Sequence, residues 1–269
     1  MKLTYLLLAA TLLSTTAFAQ EKTEKPTDKL IISGDGLHFE KGTEKTEKKE
    51  EKKFSVEIAM VDIGINSMHD KTDYTSAAAQ NFLKVPASMQ NENLFSMRTG
   101  KSINVNIVPV MGKWRVLKTD RQKIYLGLGV GLQMYNFRFN KNISYVNNSE
   151  PAVILDTVGF TKNKLGLTYL TIPLMATFKT KLAEKAWLVY GVGASAGYRI
   201  DSWTKQVSAE RGKDKNHDAF NLNDFNACLT GEIGLDGYFR LFASYQVTAL
   251  HSTGLDQHPF SIGIRFGGL

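Results

Sequence analysis

The alternation of side chains over residues 124–134 is the feature that most restricts how this chain can fold. The segment reads IYLGLGVGLQM, so aliphatic residues occupy every second position and glycine, tyrosine or glutamine lies between them. A period of two with opposite chemistry on the two faces is typical of a β-strand with one apolar side. Seven further segments repeat the pattern less cleanly: 54–66, 102–111, 166–180, 187–203, 225–235, 239–249 and 260–266. The sequence therefore predicts an all-β protein of about eight strands.

Which face of the strands carries the large side chains distinguishes a soluble sandwich from a membrane barrel. In a soluble protein the large aliphatic side chains point inward and polar residues cover the outside. Here the second face is mostly glycine, serine, threonine and asparagine, which would fill a dry core poorly but suits the interior of a small barrel. We expect a closed, antiparallel, up-and-down transmembrane β-barrel at residues 54–269. Pro109 and Pro173 fall within strands, and bulges are expected to accommodate them.

The lengths of the connections support the same architecture. Long links at 67–101, 141–165 and 204–224 alternate with shorter connections at 112–123, 181–186 and 236–237, before a last link at 250–259. Outer-membrane barrels have long outer loops and short periplasmic turns. An even number of strands then places both the N- and C-termini in the periplasm.

The N-terminal residues predict export from a Gram-negative cell. Lys2 precedes an apolar run from Leu6 to Leu13, and Ala17-Phe18-Ala19 forms a cleavage site, so residues 1–19 read as a signal peptide. Residues 20–53 are rich in lysine and glutamate, with too few apolar residues to order them, and we expect a disordered, charged periplasmic tether. A small hairpin around Gly34-Asp35-Gly36 is the alternative. Cys228 is the only cysteine and is expected to be a packed thiol.

Aromatic residues recur on the aliphatic face near both ends of the predicted strands. Such girdles place amphipathic rings at the headgroups of a bilayer. The predicted girdle residues are Phe54, Phe178, Tyr190, Phe239 and Phe266 near the periplasmic ends, and Tyr198, Phe225, Tyr245 and Phe260 near the outer ends.

Four charged residues fall on the inward face near the periplasmic end: Glu57, Glu232, Arg240 and Arg265. Two carboxylates and two guanidiniums at one level predict a neutral, hydrogen-bonded lumen cluster, since unpaired buried charge is costly. Four separately solvated charges in a wet lumen are the alternative. In either case eight strands enclose too little space for a wide pore, and we expect a narrow, plugged lumen.

The stretch GLTYLTIPLMATFKTK at residues 166–181 resembles the Tyr-Leu-x-Ile-Pro-Leu strand of the PorT-like outer-membrane barrels of Bacteroidota. The closing FSIGIRFGGL and the strand YGVGASAGYR are similar to that family as well. The resemblance implies a barrel in the cell outer membrane, and some members are tied to protein secretion or surface assembly. The chain departs from the usual barrel ending, because Phe266 is followed by Gly267-Gly268-Leu269 rather than being the terminal residue that the barrel-assembly machinery recognises.

The long links are where a binding function would reside. The first predicts a short helix over 76–83 before Pro86. Its apolar residues Phe82, Leu83 and Val85 are expected to cap the barrel mouth, in preference to contacting lipopolysaccharide or a partner. The histidines beside acidic residues, His69 and His217, are placed in outer loops, and His251 and His258 flank a third.

No nucleophile motif, metal-ligand spacing or cofactor motif accompanies these histidines. We therefore predict no enzyme activity, no metal and no cofactor. The leading function is a non-enzymatic membrane scaffold or interaction protein; the alternatives are a rim hydrolase or acyltransferase using loop His and Asp residues, and a small-solute channel. The expected partners are outer-membrane lipid and lipopolysaccharide, the barrel-assembly machinery, and a protein bound through the outer loops or the tether. Nucleic acid is not expected despite a net charge of +7.

Overall fold

The structure is a computed structural model that describes residues 29–33, 36–40, 53–147, 150–184 and 186–267. It divides into two compact units, residues 1–51 and 52–269. In the first unit, strands β1 (Lys29–Ser33) and β2 (Gly36–Glu40) pair antiparallel, which is the hairpin that the glycine turn predicts as the alternative to a disordered tether. The predicted signal peptide at 1–19 and the rest of the predicted tether up to residue 52 lie outside the described residues.

Eight strands of the second unit form a closed ring in which every neighbouring pair is antiparallel. Each ring strand pairs with the next ring strand along the chain, and the last pairs with the first. This confirms the closed, up-and-down, eight-stranded barrel. The ring strands are β3 (Phe54–Asp70), β5 (Ile103–Lys118), β6 (Gln122–Arg138), β9 (Phe160–Ala183), β10 (Ala186–Ser208), β12 (Phe225–Leu235), β13 (Arg240–Gln246) and β14 (Gln257–Phe266).

The two ends of the barrel differ in their connections. At the end where β3 begins and β14 finishes, here called the termini end, the ring strands are joined by the short connections 119–121, 184–185 and 236–239. At the opposite end, here called the loop end, the links are 71–102, 139–159, 209–224 and 247–256. The alternation of long and short connections predicted from the sequence is therefore present.

Strands β9 and β10 are 24 and 23 residues long, well beyond the roughly 10 residues that a tilted strand needs to cross a membrane. They project at the loop end, where β11 (Gly212–His217) pairs with the last residues of β10. The links add helix α1 (Ala77–Phe82), three 3-10 helices at Ala87–Met89, Glu92–Phe95 and Thr99–Lys101, and a small sheet of β4 (Leu83–Lys84), β8 (Pro151–Leu155) and β7 (Ile143–Asn147). Within the described ranges, no helix has the length and apolar content to cross a membrane.

Helix α1 forms where the sequence predicts it. Ser76 has an extended backbone and its Oγ accepts a hydrogen bond from the amide of Ala79, 3.2 Å away, as an N-cap does. The helix ends at Phe82, four residues before Pro86, whose ring excludes helical continuation.

Pro109 lies in a bulge, as predicted. The register between β5 and β6 shifts between Ile107 and Val110, because proline donates no hydrogen bond to a ladder. Opposite Pro109 on β3 lies Ala59, whose backbone is left-handed with φ 57°, and no ladder pair joins the two residues. Both strands are thus irregular at one level of the barrel wall.

Pro173 is accommodated differently, and the bulge predicted there is wrong. It pairs with Ser195 of β10 in unbroken register. The ladder is interrupted on the other side instead, between the Leu128–Leu174 and Gly131–Thr171 pairs that join β6 to β9. A missing amide removes bonds on only one side of a strand, so the wall keeps its register on the other.

Candidate functional site

The interior at the termini end contains the four charged residues that the sequence places there. Glu57, Glu232, Arg240 and Arg265 are all buried. Glu232 lies between the two arginines: its Oε2 is 2.9 Å from Nη1 of Arg265 and 3.2 Å from Nη1 of Arg240. Arg240 also donates to the carbonyl of Gly267 over 2.8 Å. Three of the four residues are therefore in direct contact.

Two further residues complete this cluster, and the sequence reasoning missed both. Asp62 accepts a bidentate pair from Arg265, with Nε–Oδ1 at 2.6 Å and Nη2–Oδ2 at 2.8 Å. Glu57 pairs with Nζ of Lys113 at 2.5 Å, and not with the arginines as the predicted cluster had it. Three carboxylates and three cations now balance, which gives a neutral network of buried ion pairs. We call these six residues the interior charge network.

The irregular pair Ala59 and Pro109 explains why the alternation missed Asp62, whereas Lys113 lies beyond residue 111, where the predicted strand stopped. In β3, Glu57 points inward on one side of Ala59 and Asp62 on the other, although one residue number is odd and the other even. In β5, the even-numbered Val108 points inward before the bulge, and the odd-numbered Met111 and Lys113 point inward after it. Beyond each irregularity, the residues that face the interior change from one alternate set to the other. A prediction that assumes unbroken alternation therefore places the wrong residues inside.

Above the interior charge network the lumen is filled rather than open. A cavity of about 40 Å³ remains, lined by Asp62, Asn106, Gln133 and Arg265 among others. Such a volume holds about two or three water molecules. Cys228 is buried in the same interior, with its Sγ 3.7 Å from the hydroxyl of Tyr135, which places the thiol in a packed environment.

At the loop end the interior is closed by an apolar core, which we call the loop-end cap. Phe82, Leu83 and Val85, predicted to cap the mouth, are all buried in it. The strands contribute their inward residues Tyr135, Phe137, Leu165, Leu167 and Tyr169, and the links contribute Leu94, Phe95, Ile143, Val153, Phe220, Leu222, Leu250 and Leu255. Tyr135, Phe137 and Leu165 lie beyond the predicted strands 124–134 and 166–180, so the small and polar interior face predicted from the sequence does not extend to this end. The strands here extend far enough for the links to fold inward and form a dry core.

The structure places His217 and His251 in links at the loop end, as predicted, but places two other histidines in ring strands. His69 lies within β3 and His258 within β14, rather than in loops, and their strands pair at these two residues. His217 ends β11, with its Nδ1 2.9 Å from Asp201. His251 is buried in the loop-end cap, stacked on Tyr145 at 5.9 Å between ring centroids. Within the described ranges, no group of three or more His, Cys, Asp or Glu residues is arranged to hold a metal ion.

The buried position of His251 predicts that acid loosens the loop-end cap. Burial lowers the pKa of His251 from 6.5 to about 3, with a smaller opposing effect of Asp70. The stabilisation from neutral His251 is full above pH 6.5 and is lost as the pH falls towards 3, at about 1.4 kcal/mol per pH unit. Amide hydrogen exchange of the cap, corrected for the intrinsic rate, should be faster at pH 4.5 than at pH 7.5. Substitution His217→Gln, at an exposed histidine, should leave this change intact; equal protection at both pH values would contradict the prediction.

The outer surface of the ring between the two ends is apolar. Ile172, Val192, Leu229 and Ile262 point outward and are 56, 63, 56 and 55% exposed, a degree of exposure that lipid contact explains and water does not. All nine predicted girdle residues, Phe54, Phe178, Tyr190, Tyr198, Phe225, Phe239, Tyr245, Phe260 and Phe266, are partly or fully exposed on this surface.

The girdle residues meet across neighbouring strands. Phe178 stacks on Tyr190 at 5.3 Å, and Tyr198 lies 5.2 Å from Phe225. Phe54 packs 5.0 Å from Trp114, a residue that the predicted girdle omitted because β5 continues beyond residue 111, where the predicted strand stopped. Cross-strand aromatic pairs of this kind stabilise a sheet and mark the interfaces of a membrane barrel.

Comparison with known families identifies this barrel. Residues 74–253 match the family described as outer membrane protein beta-barrel domain. The chain belongs to this family. The match covers about two thirds of the sequence, from the first long link to the last, and together with the apolar band and its girdles it places the protein in the outer membrane.

A search of solved structures also finds similar chains. The crystal structure of Ail, the attachment invasion locus protein of Yersinia pestis, aligns with 78% of this chain and 98% of its own, at 9% sequence identity and a TM-score of 0.26. No curated protein matches the chain.

Proposed function

We propose that this protein is a sealed, non-enzymatic anchor of the outer membrane whose loop end makes interactions outside the cell. The observation that carries the proposal is that the interior is blocked at two levels, by the interior charge network at the termini end and by the loop-end cap at the other. A lumen closed twice is suited to holding a rigid platform in the membrane and is poorly suited to passing solutes.

The proposal places both chain termini in the periplasm and the loop end outside. Short turns at the termini end and long links at the loop end support this orientation, since outer-membrane barrels distribute their connections in that way. The sequence resemblance to PorT-like barrels of Bacteroidota, carried by Gly166–Lys181, supports a role connected with secretion or surface assembly through a protein partner.

The environments of the histidines support the non-enzymatic part of the proposal. His258 Nε2 lies 2.9 Å from Asp256, and its Nδ1 contacts the carbonyl of Gln246 at 3.1 Å. His217 pairs with Asp201, and His251 is buried against Tyr145. In the part of the chain that the structure describes, these imidazoles are engaged with carboxylates, tyrosine or backbone rather than with a serine or cysteine nucleophile, as a hydrolase would require.

Conductance across planar lipid bilayers tests the sealed interior. We expect the purified full-length protein to give no steady steps, because both blocks must open before a continuous water path exists. A porin reconstituted by the same procedure is the positive control. Large, regular steps from this protein would contradict the proposal and favour a solute channel.

Cysteine labelling in intact cells tests the orientation. The native Cys228 is buried and should not react, while Ser88→Cys introduces a thiol at an exposed residue of the first long link. We expect a membrane-impermeant maleimide to label the variant on whole cells and the parent protein not at all. Labelling that requires disruption of the outer membrane would show that the loop end faces the periplasm.

A further inference from the structure

A row of basic residues crosses four neighbouring strands on the outer face of the loop-end extension. Arg138 of β6 pairs with Lys164 of β9, Lys164 pairs with Lys205 of β10, and Lys205 pairs with Lys215 of β11. We call these four residues the basic row. Lys162 and Lys213 flank it, since both are in register with Val207 of β10, two residues further along.

Directly opposed like charges destabilise a sheet, so this arrangement needs an explanation. The lysines are close enough to affect one another: Lys213, Lys162 and Lys215 lower the pKa of Lys205, and burial together with Lys162 and Arg138 lowers the pKa of Lys164. Four consecutive strands repeat the same unfavourable pairing at the same level. An anion bound between the basic side chains would attract each of them and so offset their mutual repulsion.

The surrounding residues do not provide that anion. Over the described ranges, no ion pair links a carboxylate to any lysine of the row or to the flanking lysines. The nearby carboxylate of Asp201 is paired with His217 at 2.9 Å. Arg138 donates from Nη2 to the carbonyl of Thr161 at 3.0 Å, and its Nε is buried without a partner in the structure. No described carboxylate therefore neutralises the row, and an anion of another molecule can reach it, because Lys213 and Lys215 are exposed.

The height of the row indicates which molecule. Leu170 of β9 pairs with Tyr198, one of the girdle residues nearest the loop end, and Lys164 lies six residues beyond Leu170. At ~3.3 Å per residue and a tilt of ~40°, the row is roughly 15 Å above the level of the aromatic rings. This is beyond the acyl chains and within the layer of sugars carried by lipopolysaccharide. Phosphate groups on those sugars accept charge-assisted hydrogen bonds from lysine and arginine.

We propose that the basic row binds phosphate groups on the saccharide of lipopolysaccharide in the outer leaflet. The row would span several sugars, because adjacent strands are ~4.8 Å apart and four strands take part. The contact would fix the orientation of the projecting β9–β10–β11 sheet against the lipid layer. It deepens the proposed function, and it rests on the loop end facing outward.

The test compares binding of a defined probe by matched variants of the full chain in phosphatidylcholine nanodiscs. The probe is the deacylated, phosphorylated core oligosaccharide, offered before and after chemical removal of its phosphates. We expect Lys164→Thr with Lys205→Thr to weaken binding about tenfold to thirtyfold, since each lysine at an anionic surface contributes roughly a factor of five. The control removes two other exposed lysines of the loop end, Lys71→Thr with Lys84→Thr, and should stay within twofold of the parent.

A second readout separates this role from a structural one. In detergent free of lipopolysaccharide, the Lys164→Thr, Lys205→Thr variant should unfold at a urea concentration at least as high as the parent, because the repulsion is relieved. If that variant fails to fold, Lys213→Thr with Lys215→Thr on the edge strand β11 replaces it, with an expected loss of affinity of about fivefold or more.

Three results would overturn the proposal: equal affinity for the dephosphorylated probe, equal affinity of the row variant and the parent, or binding of heparin without binding of the core oligosaccharide, which would indicate a free sulfated polysaccharide instead. The assay depends on neither orientation nor conductance. Its failure is therefore distinguishable from failure of the proposed function, which is tested by labelling residue 88 and by bilayer recording.

Discussion

Substitution Glu232→Gln should destabilise the barrel by about 3–5 kcal/mol, because it removes one charge from a buried network and leaves the others uncompensated. Glu232 is the carboxylate that both Arg240 and Arg265 contact, at 3.2 and 2.9 Å. Glutamine keeps the volume, so no cavity opens and the loss reports electrostatics rather than packing. The measurement is the urea midpoint of unfolding in detergent micelles, followed by tryptophan fluorescence.

Two companion variants make this prediction specific. Glu210→Gln removes a carboxylate from an exposed turn and should change stability by less than about 0.5 kcal/mol. Glu232→Gln combined with Arg240→Gln restores neutrality and should be less destabilised than Glu232→Gln alone, since Arg265 keeps its bidentate contact with Asp62. A midpoint for Glu232→Gln equal to that of the parent would show that the six charges are independently solvated.

Substitution Phe82→Ala should open the loop-end cap while the barrel stays folded. The Phe82 ring is buried 5.5 Å from the ring of His251, and its Cβ lies so close to Gly254 that any larger residue at position 254 would collide with it. Removing such a ring costs about 3–5 kcal/mol. Because the Phe82 ring helps to pack the first link into the loop-end cap, we expect trypsin or chymotrypsin to cut within 71–102 in the variant and much more slowly in the parent.

The control for Phe82→Ala is Asn81→Ala, at an exposed position of the same helix. It should leave the proteolysis rate unchanged. Mobility on gels with and without boiling should be the same for parent and both variants, since the ladder of the ring does not include Phe82. Loss of the unboiled, fast-migrating band in Phe82→Ala would show that cap and barrel fold as one unit and would contradict this prediction.

The positions that could be predicted from sequence are those where neighbouring residues along the chain determine the outcome. Alternation in IYLGLGVGLQM fixes which side chains of β6 face outward, and the Ser76 cap with Pro86 fixes helix α1. Glu232, Arg240 and Arg265 follow from alternation as well, because β12, β13 and β14 run without irregularity in this region.

Prediction failed where a local irregularity changed the alternation. The left-handed backbone at Ala59 has no signal of its own in the sequence, because alanine rarely adopts φ 57° and does so here opposite Pro109. That single reversal turns Asp62 inward, and the bulge at Pro109 turns Lys113 inward. The neutrality of the interior charge network therefore depends on two backbone distortions on neighbouring strands.

The sequence by itself determined the number of strands, their up-and-down order, the apolar outer face and the membrane it implies, because a period of two and the lengths of connections are local properties of the chain. Only the tertiary structure decided which side chains fill the interior and which residues of neighbouring strands lie side by side on the outer face. The loop-end cap joins residues from four links, the interior charge network joins ion-pair partners up to 203 positions apart, and the basic row depends on the register of four strands. Such contacts are set by ring closure and register, which relate residues that the sequence keeps far apart.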